Sequence, residues 1–163
     1  MSIATIRASV AALLRTVSGV GVVNEDIPFG DDAEFFNAHF VEQTTGRING
    51  WTVAAVPTTP EYGLGFIARV YTVTLRGILQ VEKPADDVHS RAAAEAVADA
   101  IVTTFMASGA NHRLPASSTP TVDWTDGHAI EVKDAQIRRG TGLDLVHLVT
   151  VTFRAIAQET LAA

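Results

Sequence analysis

Residues 66–81, FIARVYTVTLRGILQV, decide the fold. Phe66, Ala68, Val70, Val73, Leu75, Ile78 and Val81 alternate, imperfectly, with Arg69, Tyr71, Thr72, Thr74 and Arg76. Alternation with a period of two marks a strand with one buried face, and Val, Ile, Thr and Tyr suit a pleated surface. The stretch is long, so it reads as the central strand of a sheet. Gly77 marks a bulge or bend within it.

The reading extends upstream first. Arg47 to Pro57, with Trp51, Val53, Ala55 and Val56, is a second strand, and Thr58 to Gly65 is a loop broken by Pro and Gly. Further back, Ile3, Ile6, Val10, Leu13, Leu14 and Val17 step by three or four, which predicts an amphipathic helix with Arg7 and Arg15 off its apolar face. Ser2 caps its start and Gly19 stands where a C-terminal cap belongs. Val20 to Val23 is a short extended piece entering a loop. Asp31 or Asp32 then caps a short helix that carries Phe35, Phe36 and Phe40. That Phe-rich helix either lies on the core or docks on a neighbouring subunit.

Downstream, Asp87 starts the clearest helix. Ala93, Val97, Ile101 and Phe105 recur every four residues with Ala96, Ala100 and Thr104 beside them, and Gly109 ends it. Its small residues allow close approach to a sheet. Asn111 to Asp123 is a polar surface loop with Pro115 and Pro120. Ala129 to Ile137 and Leu145 to Ile156 are strands, joined by a turn over Arg138 to Asp144, and form an antiparallel hairpin. The tail from Gln158 is frayed or a short helix. These elements predict a single α+β domain over residues 1–163. Its sheet is mainly antiparallel with about four to five strands, and two main helices pack on one face.

Composition agrees with one globular domain: 163 residues, 47% hydrophobic and 18% charged. The absence of cysteine excludes disulfides, thiolate metal sites and thiol nucleophiles. The net charge is −6 and the basic residues are scattered, with Arg138–Arg139 the only adjacent pair. That pattern lacks the basic face a phosphate-backbone binder uses. No stretch approaches the roughly eighteen apolar residues of a membrane helix. No export signal is apparent, so the cytoplasm of the producing cell is the expected compartment.

Candidate chemistry is sparse. Gly-x-Ser-x-Gly is absent, and Ser18-Gly19 and Ser108-Gly109 read as helix ends. The five histidines show neither His-x-x-x-His nor His-Glu-x-x-His spacing. The densest polar group is Asp123, Asp126 and His128, which supports an alternative reading as a small metal-dependent enzyme. Asp126-Gly127 is also an ordinary turn dipeptide. Asp31–Asp32 and Asp86–Asp87 stand where helices begin, where carboxylates satisfy free backbone N–H groups.

Six segments carry a resemblance. They are IRASVAALLRTV (6–17), GWTVAAV (50–56), FIARVYTVTLRGIL (66–79), DDVHSRAAAEAVADAIVTTF (86–105), HAIEVKDAQI (128–137) and LDLVHLVTVTFRAI (143–156). Their order and spacing resemble the tail terminator, or tail completion, proteins of long-tailed bacteriophages and phage-like particles. The resemblance covers most of the chain as a pattern of elements, without a diagnostic residue motif. It implies a small α/β sandwich that closes into a ring, typically a hexamer, which caps the tail tube and joins it to the head. It implies no cofactor, no metal and no catalysis, and a place in the virion tail or neck after assembly in the host cytoplasm. The implied partners are copies of the chain, the tail tube protein and head–tail connector proteins. There is no membrane partner, and nucleic acid enters only as DNA passing through a channel. Head–tail connector completion proteins share a similar outline and are the alternative. Phe29, Phe35, Phe36, Glu61, Tyr62, Arg138 and Arg139 are the candidate subunit or partner contacts.

Overall fold

The 66–81 stretch lies at the centre of the sheet in the computed structural model, which describes residues 2–26, 30, 32–63, 66–80, 87–107, 120–123 and 129–160. In chain order the elements are α1 (Ile3–Leu14), β1 (Val22–Asn24), α2 (Ala33–Phe40), β2 (Asn49–Pro57), β3 (Glu61–Gly63), β4 (Phe66–Leu79), α3 (Asp87–Ala107), β5 (Pro120–Asp123), β6 (Ala129–Arg139) and β7 (Gly142–Thr160). β4 pairs antiparallel with β7 along its whole length, from Phe66 opposite Thr160 to Leu79 opposite His147. β7 therefore takes one edge of β4, and β2 and β3 share the other edge end to end. By the same reasoning β5 and β6 share the outer edge of β7. β1 adds to β2 as the one parallel pair among the described residues. The seven strand segments thus fill five lanes, and the α+β class with a mainly antiparallel sheet holds.

Two strands appear where loops were expected. Glu61–Gly63 lies within the expected 58–65 loop, and Pro120–Asp123 within the expected 111–123 loop. Both are short segments that continue a lane opened by a longer strand, so their own sequences carry little strand pattern. The hairpin turn is also tighter than expected. Arg139 pairs with Gly142, which leaves Gly140 and Thr141 at the tip, with Gly140 at a φ of 58°. β7 is correspondingly longer than the expected 145–156 strand, and it continues to Thr160 rather than fraying from Gln158.

Gly77 is not a bulge. Register runs unbroken through it on both sides, opposite Trp51 on β2 and Val149 on β7. A Cβ at Gly77 would lie 2.7 Å from three ring atoms of Trp51, which is fully buried. Glycine is required there because the indole lies directly across the strand.

The main core sits on the face built from odd-numbered positions of the long strands. Trp51 and Val53, Val73 and Leu75, and Val149, Val151 and Phe153 meet α1 and α3 there. α1 contributes Ile6, Val10, Leu13 and Leu14, and its N-cap Ser2 accepts from the Thr5 N–H at 3.2 Å. It stops at Leu14, short of the expected Val17, and Gly19 (φ 86°) follows in the turn beyond. On α3 the buried positions are Ser90, Ala94, Ala98, Ile101, Val102 and Phe105. Val97, which the four-residue repeat places with Ile101 and Phe105 in the core, is only half-buried. The helix is rotated toward its smallest residues, which lets its axis come close to the sheet. Phe105 packs on Phe153 with ring centroids 5.1 Å apart.

α2 occupies the opposite face. Phe36 and Phe40 pack with Val41, Ile48, Ile78, Ala135, Ile137 and Val146 in a second, smaller core. The helices are therefore not all on one face, although the two main ones are. Asp32 caps α2 by accepting from the Phe35 N–H at 2.6 Å, and Asp31 lies outside the described residues.

Candidate functional site

The hairpin of β6 and β7 runs past the end of β4, because Leu79 is opposite His147 and β7 continues back to Gly142. One face of this overhanging arm is closed by α2 through Ala135, Ile137 and Val146. Alternation then directs Leu143 and Leu145 to the other face, where they are 67% and 40% exposed. Two large apolar side chains two residues apart on a strand are ordinarily core. Here the described part of the helix layer, which begins with α3 at Asp87, leaves them exposed.

On the α2 side the arm tip and the first turn of α2 enclose an open cleft of about 450 Å³. It is lined by Asp32, Ala33, Phe36 and Asn37 from α2 and by Arg138 and Gly140 from the tip. Phe36 is half-buried, stacked on Phe40 at 5.2 Å, and Phe35 lies 4.4 Å from the ring of His39. The Oδ1 of Asn37 is buried and has no hydrogen-bond partner among the described residues. The structure thus brings together two of the expected contact residues, Phe36 and Arg138, with Phe35 on the adjoining turn.

Glu61 and Tyr62 lie elsewhere. They pair with Ala68 and Ile67 at the start of β4, at the opposite end of the sheet from the arm. With β7 at 19 residues, that separation is on the order of 50 Å. Glu61 is ion-paired with Arg154 at 2.9 Å, and Tyr62 is 76% exposed. Arg139 is described in its backbone alone, opposite Gly142. Phe29 lies outside the described residues.

A buried polar chain was not anticipated. Ser90 Oγ is 2.8 Å from His147 Nε2, and His147 Nδ1 is 2.6 Å from Asp134 Oδ1. The atoms follow the order of a nucleophilic triad. The surroundings do not. Ser90 lies inside α3 and is buried along with His147, and neither lines the α2 cleft or the groove between α3 and the 42–47 turn. The chain ties α3 to both strands of the hairpin. Arg91 adds to this contact, with Nη2 donating to the Val132 carbonyl at 3.2 Å and Nη1 3.7 Å from Asp134. His147 was visible in sequence, but its partners are 57 and 13 residues away, and no local pattern links them.

The groove between α3 and the 42–47 turn, about 280 Å³, is polar but self-satisfied. Asn49 Nδ2 donates to Gly19 O at 3.0 Å and to Glu42 at 2.8 Å, and Thr45 donates to the second Glu42 oxygen at 2.8 Å.

Among the described residues no group of three or more His, Asp or Glu is placed to hold a metal ion. Of the alternative metal set, Asp126 and His128 lie outside the described residues, and Asp123 is described in its backbone as the residue opposite Arg154. Among the described residues no helix is long and apolar enough to cross a membrane. The chain matches no protein-family model, and no curated protein gives a significant match.

Proposed function

We propose that this chain is a structural subunit that assembles with copies of itself into a ring at the end of a phage-like tail, capping the tail tube and joining it to the head. The observation that carries the reading is the overhanging hairpin arm, which leaves apolar side chains uncovered on one face and an open, partly apolar cleft on the other. The two surfaces differ in kind and lie on opposite faces of one element. They fit heterologous contacts, which close into rings when the rotation allows. The element order agrees with the resemblance to tail terminator proteins.

In this reading the chain has no catalytic step and needs no cofactor. Its partners are its own copies, likewise the tail tube and connector proteins, and DNA only as cargo in the channel. A head–tail connector completion protein is the alternative placement, and binding to purified tail tubes rather than to connectors separates the two. Native mass spectrometry together with electron images of the purified chain tests the ring. A discrete closed oligomer with a central hole is expected, and a monomer up to high micromolar concentration would overturn it.

A further inference from the structure

We infer that the Leu143–Leu145 face of the hairpin arm docks in the α2 cleft of a second copy of this chain. The inference rests on the ring reading and deepens it by naming the two surfaces that meet.

Two observations support a copy as the occupant. The first is chemical match. The cleft presents Phe36 and Ala33, with room for side chains of leucine size in about 450 Å³. The arm presents Leu143 and Leu145, both exposed on the single chain. Buried apolar anchors in a pocket, ringed by polar groups, are the usual source of contact energy between proteins.

The second is charge. Arg138 is the Cα partner of Leu143 and makes no ion pair among the described residues. Asp32 and Glu34 stand in the open at the start of α2. Docking therefore brings a neighbour's arginine to the acidic first turn of α2.

Placement then gives direction. The leucines and the cleft lie on opposite faces of the same arm, so each copy gives its leucines to one neighbour and receives leucines from the other. The contact is head-to-tail and propagates.

The chain has no cysteine, so cross-linking is clean. Ala33→Cys and Leu143→Cys are both exposed positions and should fold as the unmodified chain does. A short bis-maleimide applied to a mixture of the two single variants should yield covalent dimer, and the A33C/L143C double variant should yield a ladder. Each single variant alone should stay uncross-linked. Native mass spectrometry of the unmodified chain is run alongside. A closed oligomer with no mixed-pair dimer overturns this contact and leaves the ring reading standing. A monomer under all conditions overturns both. Cross-linking in either single variant alone indicates a two-fold contact and also overturns the proposal.

Discussion

His147 and Asp134 are joined by a hydrogen bond of 2.6 Å between neighbouring lanes of the sheet, with His147 buried and the Asp134 side chain half-exposed. Since the other ring nitrogen meets Ser90 on α3, this one imidazole holds a helix and both strands of the arm in a fixed relation. Two consequences separate a clasp from a catalytic triad. His147→Ala should cost about 2–3 kcal/mol in urea unfolding, because it removes buried volume and the hydrogen bonds that the imidazole makes to Ser90 and Asp134. A fluorophosphonate probe should leave Ser90 unlabelled in the folded protein. Stoichiometric labelling lost in Ser90→Ala and His147→Ala would establish a nucleophile instead.

Gly77→Ala should destabilise the protein by roughly 1–3 kcal/mol, the cost of overpacking a filled site. The added methyl meets a fully buried indole from three ring atoms at 2.7 Å. In a domain of this size that corresponds to a fall in Tm of roughly 2–4 °C per kcal/mol. Trp51 emission should shift in the folded state. A variant as stable as the parent, with unchanged emission, contradicts the close approach described here.

Phe105→Ala should cost roughly 3–5 kcal/mol, as for other fully buried aromatic side chains. Phe105 is 0% exposed and its ring meets Phe153 in the main core. Chemical denaturation measures it, and a loss well under 1 kcal/mol would mean that this face of α3 does not pack on the sheet.

Arg91→Ala should make the purified protein more prone to non-specific association, at little cost in stability. Among the described residues nothing pairs with the outer edge of β6, and the Arg91 guanidinium lies against that strand at the Val132 carbonyl. Charged side chains over a strand edge block unwanted pairing. Light scattering on concentrated samples reads the effect. Equal scattering from variant and parent would leave Arg91 with no role at the edge.

Much of the fold was legible because its long elements carry strong periodicity. The 66–79 strand, the N-terminal helix and the Asp87 helix follow from alternation or from three-and-four spacing, and Ser2 and Asp32 cap as their positions suggest. The misreadings have physical causes. β3 and β5 form because a neighbour offers a free edge, not because Glu61–Gly63 or Pro120–Asp123 favours a strand. Gly77 read as a bend since sequence does not show that Trp51 crosses it. The buried stripe of α3 follows Ala94 and Ala98 rather than Val97 because close approach outweighs side-chain size.

The candidate site was less legible. Phe36 and Arg138 were both suspected, but separately, and only the hairpin's overhang brings them to one cleft. Leu143 read as part of the hairpin turn and Leu145 as the start of the last strand. Their exposure depends on which side chains the helix layer covers, which is a property of the assembled fold.

The central claim is self-assembly into a closed ring, and native mass spectrometry of the unmodified chain across a concentration series tests it most directly. The account predicts one discrete oligomer whose mass is a whole multiple of 17.3 kDa, with six copies the expected number. A 17.3 kDa monomer throughout, or an open-ended series of sizes without a preferred one, would contradict it.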